Sequence, residues 1–285
     1  MKIRNYRDKS LEVFELFHEE ANTRLVVVPE RGGIITELRI AGDELLFINE
    51  ETLHDRDSNI RGGIPILFPI CGGLEDGVYE WEGQTYEMRG HGFARDMPWE
   101  VVETNNVNSL SITLRLASNE ETKKSYPFEF EIIYTYELKK DELVIHQEYK
   151  NLSKEVMPIH AGFHPYFTSI SKLVGVDTDS TSYLDYNDGE IKPFYGSVDL
   201  DKGKEAVVLL DSRRNYVTFP LPHMEKRVTL EYGKEFSYIV LWSTKGQNYV
   251  CIEPWMGLKL EFNKKNELYR LESGKTWKTF MSIKV

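Results

Sequence analysis

Alternation of apolar and polar residues constrains the fold of this chain more than any other sequence feature. Across residues 128–138 apolar side chains occupy every second position, with mostly polar residues between them. Successive side chains of a strand point to opposite faces of a sheet, so this pattern is typical of a strand with one buried face. The same pattern predicts strands over residues 110–116, 143–149 and 258–262.

Turns separate the predicted strands, and helical signals are few. Polar and glycine-containing clusters predict turns at residues 105–106, 139–141, 202–204 and 231–233. One short surface helix is predicted over residues 118–125, where Ser118 and Glu121 form a capping-box pattern ahead of Pro127. No glycine-rich phosphate loop lies between a strand and a long helix, which argues against a nucleotide-binding α/β fold. We therefore predict an all-β fold, a large antiparallel β-sandwich with few short helices, as a single domain over residues 1–285.

Composition limits the kinds of partner that the chain can bind and the cellular compartment that it suits. The chain has 285 residues and a net charge of −11, without the Lys/Arg cluster that a phosphate backbone requires, so we predict no nucleic-acid partner. Cys71 and Cys251 are the only cysteines, too few for a disulfide framework, so we expect a reducing cytoplasm. No apolar run follows the positive flank at residues 1–8, and no window approaches the roughly 18 apolar residues that span a bilayer. We expect no signal peptide and no membrane partner, and either a monomer or a homodimer.

Two arginines and a histidine lie among glycines and prolines that a strand would avoid. Arg61 opens the segment RGGIPILFP, and His91 and Arg95 are the ends of the segment HGFAR. Glycine lets backbone and ligand come close, and proline removes a backbone donor while fixing φ. We therefore predict a shaped pair of loops that binds a polar ligand, with an anion as one option. The alternative is that the arginines form surface ion pairs with acids such as Asp57 or Asp96.

Two further candidate residues each precede a proline. His164 lies in the segment GFHPYF, and Glu253 lies in the segment CIEPW. A residue before proline adopts extended geometry, and proline cannot donate to a ladder, so we expect His164 where a strand ends. Glu253 shares a strand face with Tyr249 and Cys251, which indicates partial burial, and burial favours the neutral carboxyl. The alternative is structural: a satisfied histidine in an aromatic strand, and a glutamate at a turn or sheet edge.

The four-residue spacing of His160 and His164 raises the question of a metal. Pro158 and Pro165 argue against the helix on which that spacing is typical of a metal site. On a strand the two histidines would share a face, but no third ligand is apparent nearby. A Ser-His-acid hydrolase is less favoured still, because no Gly-x-Ser-x-Gly segment occurs. We predict neither a metal nor a cofactor.

These segments occur together in an order and spacing that resemble the galactose mutarotase-like, or aldose 1-epimerase, family. The matching segments are RGGIPILFP, HGFAR, GFHPYF and CIEPW. The resemblance extends over nearly the whole chain and implies a large β-sandwich with a sugar cleft on one sheet. It also implies interconversion of the α and β anomers of an aldose, without a metal, a nucleotide or a covalent intermediate.

The resemblance further assigns roles to individual residues. Glu253 would take the proton of the anomeric hydroxyl, His164 would protonate the ring oxygen, and His91 would hydrogen-bond near that oxygen. Trp255 would stack on the sugar. Asp211 is the candidate for holding a sugar hydroxyl.

The substrate branch within the family stays open. Arg61 and Arg95 resemble the hexose-6-phosphate branch, where equivalent arginines bind the phosphate through the planar guanidinium fork. The segment ending in Trp255 is more similar to the branch that acts on unphosphorylated sugars, and Gly72 and Gly73 stand where the galactose-type pattern has Gly-Arg. We expect a mutarotase acting on a hexose or hexose 6-phosphate. The alternative is a non-catalytic carbohydrate-binding or sensor protein on the same fold.

Overall fold

Antiparallel sheets dominate the structure, a computed structural model that describes residues 1–285. In chain order the strands are β1 (Lys2–Asp8), β2 (Leu11–His18), β3 (Thr23–Val28), β4 (Ile34–Ile40), β5 (Asp43–Glu44), β6 (Ile66–Leu67), β7 (Val78–Trp81), β8 (Gln84–Glu87), β9 (Glu100–Asn105), β10 (Ser111–Ala117), β11 (Phe130–Leu138), β12 (Glu142–Asn151), β13 (Met157–Ile159), β14 (Gly162–Phe163), β15 (Tyr166–Thr168), β16 (Leu173–Gly175), β17 (Ser182–Asp185), β18 (Ile191–Pro193), β19 (Ser197–Asp199), β20 (Val207–Leu210), β21 (Tyr216–Pro220), β22 (Arg227–Tyr232), β23 (Tyr238–Trp242), β24 (Tyr249–Trp255), β25 (Tyr269–Leu271) and β26 (Thr276–Lys284). The helices are α1 (Glu50–His54), α2 (Glu120–Ser125) and α3 (Glu261–Lys264). Single 3-10 turns lie at Glu19–Ala21, Pro29–Arg31, Glu75–Gly77 and Leu200–Lys202.

Two large sheets form the sandwich. One has the strand order β21-β22-β26-β12-β11-β10-β9, and the other has the order β18-β17-β20-β23-β24-β14-β6 with β15 also paired to β24. A third sheet holds β1 to β5 in sequence order. This architecture confirms the predicted all-β antiparallel sandwich with few short helices. None of α1, α2 or α3 combines the length and the apolar composition that a membrane-crossing helix needs.

Alternation decides which side chains enter the core between the large sheets. Along β11 every second residue from Phe130 to Leu138 is buried, as the pattern predicts. Along β24, Val250 and Ile252 join the same core. Tyr249, Cys251, Glu253 and Trp255 alternate with these residues and point to the opposite face of the sheet, so the strand carries one apolar face and one face available for a site.

The N-cap of the short helix α2 lies one residue later than predicted. Asn119, not Ser118, is the N-cap: its Oδ1 accepts from the Thr122 N–H at 3.0 Å, while Thr122 Oγ1 accepts from the Asn119 N–H at 2.9 Å. Ser118 is still held by the sheet, since its N–H donates to Phe130 O and its Oγ accepts from Phe130 N–H. The predicted pairing of Ser118 with Glu121 is therefore wrong, because a residue held by the ladder is not free to cap.

The predicted strand over residues 258–262 is also wrong. Leu260 has φ of 69°, in the left-handed region, and α3 begins directly after it. The Glu261 carboxylate accepts from the backbone N–H groups of Asn266 and Glu267 at 2.6 and 2.8 Å, which closes a compact loop. The Leu260 N–H donates to Gly73 O at 3.0 Å, so this loop is bound to the turn formed by Gly72 and Gly73.

Candidate active site

Glu253 and His164 occupy opposing positions on adjacent strands. Gly162 lies opposite Trp255, and Tyr166 lies opposite Cys251, which brings His164 opposite Glu253 in the same register. Each of the two residues precedes a proline, and proline has no N–H to donate to the ladder. The sheet is therefore interrupted between β14 and β15 at the point where both polar side chains lie.

The two side chains form a buried acid/base pair. His164 Nε2 lies 3.5 Å from Glu253 Oε1, and the side chains are only 9% and 1% exposed. Burial raises the pKa of the Glu253 carboxyl well above its usual value and lowers the pKa of His164 well below its usual value. Burial therefore disfavours the charged form of both groups, and pKa values perturbed in this way are typical of sites that transfer protons.

His91 is held in one tautomer by a glycine turn. The Gly72 N–H donates to His91 Nδ1 at 3.1 Å, and the His91 N–H donates back to Gly72 O at 2.7 Å. Burial, aided by the charges of Arg95 and Arg61, lowers the pKa of His91 to about 3. The imidazole is therefore neutral at pH 7, and because Nδ1 accepts, its proton is assigned to Nε2.

The glycine turn must stay free of side chains at Gly72. Its φ is 77°, and a Cβ there would lie 3.0 to 3.1 Å from Trp255 Cζ3 and from the Cα of Lys259. Glycine permits both the left-handed backbone and this close approach. The turn consequently brings His91, Trp255 and Lys259 close together on one side of the site.

An open cavity of about 380 Å³ is lined by the His164 and Glu253 pair. Trp242 and Trp255 supply flat apolar surface, and the His164 ring stacks on Tyr166 with centroids 4.7 Å apart. Its further lining residues are Arg61, Gly72, Gly73, Gly90, His91, Tyr186, Lys204, Glu205, Ala206, Val240 and Lys259. The combination of aromatic surface and convergent polar groups is typical of a small-molecule site.

Cations are concentrated at the cavity of this acidic chain. The Arg61 guanidinium lies 5.6 Å from the Trp242 ring centroid, and Lys259 Nζ lies 4.0 Å from that of Tyr186. Lys204 lines the same cavity. These aromatic contacts hold two of the cations without neutralising them, so the cavity favours an electron-rich or anionic ligand.

The structure separates two predicted site residues from the others. Glu253, His164, His91, Arg61 and Trp255 all line the cavity. Two residues do not belong to that lining: Arg95 and Asp211.

Arg95 lies behind the cavity wall. Its Nη2 donates to Gly90 O at 3.2 Å and to Asn59 Oδ1 at 3.4 Å, and its Nε lies 3.9 Å from Asp96 Oδ2. The predicted alternative of an arginine near Asp96 is therefore present in the structure. The charge of Arg95 still acts on the site, since it lowers the pKa of His91 and His164 in addition to their burial.

Asp211 is engaged elsewhere. Its carboxylate accepts hydrogen bonds from the N–H and Oγ1 of Thr181, and it is an exposed turn residue with φ of 57°. These bonds occupy the oxygens that a sugar hydroxyl would need.

Among the cavity residues that sequence reasoning missed are Tyr186, Lys204, Trp242 and Lys259. Trp242 lies opposite Cys251 in the pairing of β23 with β24, so the strand register would have revealed it. Lys259 was hidden because its segment alternates like a strand. Tyr186 and Lys204 come from loops that carry no signal of their own.

Two groups of side chains have metal-ligand chemistry. The ligand atoms of His164, Cys251 and Glu253 all lie within 4.8 Å of one another, and a second, largely exposed group surrounds His54. His160 belongs to neither group; it is buried beside Cys71, with Sγ 3.6 Å from its Nε2.

Comparison with known proteins identifies the family and the fold of the chain. The aldose 1-epimerase family model matches residues 15–284. The chromosomal LacX protein of Lactococcus lactis subsp. lactis is 27% identical over 239 residues, which is 73% of this chain and 78% of that protein. The crystal structure of the Slr1438 protein from a Synechocystis species is 30% identical and superposes with a TM-score of 0.93, covering 100% of this chain and 99% of that one. A galactose mutarotase related enzyme from Lactobacillus acidophilus is 25% identical with a TM-score of 0.76, covering 99% and 97%. The resemblance found in the sequence is thus confirmed, and the chain belongs to the aldose 1-epimerase family.

Proposed function

We propose that this chain is a mutarotase that interconverts the α and β anomers of a hexose or hexose 6-phosphate. The observation that carries the proposal is the buried pair of His164 Nε2 and Glu253 Oε1, 3.5 Å apart on the floor of an open cavity. A cavity that only bound sugar would not need an acid and a base side by side. Burying two ionisable groups together has a desolvation cost that a chemical role explains.

Ring opening and reclosure use one base and one acid. Glu253 takes the proton of the anomeric hydroxyl, the bond from C1 to the ring oxygen breaks, and His164 protonates that oxygen. The free aldehyde turns about the bond between C1 and C2. Reclosure on the other face then returns the proton to His164 and reverses the two roles, so no net proton is consumed.

His91 supports this chemistry as a neutral donor. Its Nε2–H is available because Nδ1 is occupied by the Gly72 N–H. With a pKa of about 3 the imidazole is neutral near pH 7, so it donates a hydrogen bond near the ring oxygen as an uncharged group. Trp255 provides the flat surface against one face of the sugar.

The cations of the cavity support a phosphorylated substrate. Arg61 faces the cavity, and a planar guanidinium binds phosphate through two parallel hydrogen bonds. Arg95 lies behind the cavity wall and would add positive charge near the phosphate without contacting it. A hexose 6-phosphate would then place its ring at Glu253 and its phosphate toward Arg61.

Polarimetry tests the proposal directly. Freshly dissolved α-glucose and glucose 6-phosphate are each followed with wild-type protein, with Glu253→Gln and without protein. We expect wild type to accelerate the approach to anomeric equilibrium on at least one of the sugars, and Glu253→Gln to approach the uncatalysed rate. Calorimetric binding of both sugars without acceleration of either would replace the proposal with the sugar-binding or sensor alternative.

A further inference from the structure

Three buried donors of different chemistry meet beneath the cavity. The imidazole of His164, the thiol of Cys251 and the carboxyl of Glu253 bring one ligand atom each to within 4.8 Å of the others. We propose that these three side chains form an inhibitory binding site for a thiophilic divalent cation, with Zn²⁺ as the best match.

The donor set suits zinc better than other common divalent ions. Zn²⁺ binds imidazole nitrogen, thiolate sulfur and carboxylate oxygen, and a site with three protein ligands leaves a fourth position for water or substrate. Mg²⁺ and Ca²⁺ prefer sites made of oxygen alone, so a nitrogen and a sulfur among three ligands disfavour them. Here the fourth position would face the cavity that His164 and Glu253 line.

Each of the three side chains has an atom available to bind a metal ion. Cys251 is a free thiol with 0% exposure. His164 Nδ1 is buried without a hydrogen-bond partner. Glu253 Oε2 accepts from the Trp255 indole at 3.1 Å, a contact that would orient a ligating carboxylate from outside the metal sphere.

The charges around the three side chains both favour and disfavour the binding of a divalent cation. A Cys251 thiolate and a Glu253 carboxylate together supply two negative charges, which match a divalent ion. Burial raises the pKa of the Cys251 thiol, so the ion must displace the thiol proton. The positive charges of Arg61 and Arg95 lower the pKa values of Cys251 and Glu253, respectively, but they also repel a cation. We therefore expect selective binding that depends on the sulfur, because only a soft ligand compensates for the neighbouring cations.

Inhibition follows if the proposed function is correct. An ion on Glu253 and His164 would occupy the base and the acid of the mutarotase cycle, and sugar and ion would compete. Metal binding itself does not depend on that function, so an experiment can reject the metal site without rejecting the mutarotase function, and the reverse.

Cobalt provides the test, because Co²⁺ bound to thiolate has a sulfur-to-metal charge-transfer band in the near ultraviolet. Co²⁺ is titrated into wild type, Cys251→Ser and Cys71→Ser, and Zn²⁺ is then added to displace it. Cys71 is a matched control, since it is also buried beside a histidine, His160, but no carboxyl completes its set. We expect one Co²⁺ per chain with the band in wild type and Cys71→Ser, displaced by Zn²⁺, and more than about 100-fold weaker binding without the band in Cys251→Ser.

The proposal is overturned if wild type shows no thiolate band, or if the band survives in Cys251→Ser. Circular dichroism checks that each variant is folded. If Cys251→Ser does not fold, Glu253→Gln replaces it: the band should persist, while affinity falls at least about tenfold. Unchanged affinity in Glu253→Gln would equally overturn the site.

Discussion

The indole nitrogen of Trp255 donates to Glu253 Oε2 at 3.1 Å, from two positions further along β24. Residues two apart in a strand share a face, so the strand itself fixes this contact. The bond occupies one carboxylate oxygen and leaves Oε1 toward His164. Burial raises the pKa of Glu253, and the indole bond opposes part of that rise. Trp255 is thus a positioning residue for the proposed base as well as a wall of the cavity.

Trp255→Phe should separate these two roles, since it keeps an aromatic wall but removes the donor. A hydrogen bond to a charged group contributes about 1.5–3 kcal/mol, so we expect turnover to fall about tenfold or more. Loss of the bond also raises the pKa of Glu253. The base then stays protonated to higher pH, and the acidic limb of the kcat/KM profile should move upward. A pH–rate profile with the limb unmoved and turnover intact would contradict the positioning role.

Glu253→Gln and His164→Ala should each lower turnover by about 100-fold or more, because each removes one half of a proton-transfer pair. The double variant should be little worse than the worse single variant, since groups that act in one step are not additive. Stopped-flow polarimetry measures the rates, and circular dichroism checks the fold. Near-normal turnover in Glu253→Gln would reject Glu253 as the base.

His91→Asn and His164→Asn should differ strongly in the catalytic activity that each variant retains. His91 has φ of 69°, a backbone conformation that asparagine tolerates, so the turn at Gly72 should survive the change. A neutral donor that only orients the sugar should be partly dispensable, and we expect measurable activity in His91→Asn but much less in His164→Asn. Equal losses in the two variants would show that His91 shares in proton transfer. A lower melting temperature with unchanged sugar affinity would instead indicate that His91 serves only the loop.

The sequence predicted the fold for physical reasons, and local signals together with the family resemblance made His164 and Glu253 the candidates for the acid and the base. Alternation is strict in β11 because one face meets a dry core. His164 and Glu253 were recognisable because each precedes a proline, and a strand of a paired sheet accepts proline only where the ladder is interrupted. Such signals are local, so single-sequence reasoning can find them.

The rest of the cavity depends on contacts that are distant in sequence. Lys259 follows β24 in a loop that the Leu260 N–H binds to the distant Gly73 O, and the alternation of this loop imitates a strand. Asp211 was assigned to the sugar, but its carboxylate is bound by Thr181, 30 residues away, at the end of the pairing of β17 with β20. Neither contact leaves a pattern within its own segment.

Arg61→Ala should distinguish the two proposed substrate branches. If Arg61 binds a six-position phosphate, glucose 6-phosphate should be processed far more efficiently than glucose by wild type. A charge-assisted hydrogen bond contributes about 1.5–3 kcal/mol, so the variant should lose roughly tenfold or more in kcat/KM on the phosphorylated sugar. On glucose it should be nearly unchanged.

Arg89→Ala is the matched control for that measurement. Arg89 is 64% exposed, pairs with Asp96 and lies outside the cavity lining. Removing it changes the net charge by the same amount without touching the proposed phosphate contact, so both sugars should be processed as in wild type. If Arg61→Ala loses equally on glucose and glucose 6-phosphate, Arg61 supports the cavity wall through Trp242, and the substrate is an unphosphorylated aldose. If Arg89→Ala reproduces the selective loss on the phosphate, the effect is one of overall charge on the encounter with an anion, and Arg61 makes no specific contact.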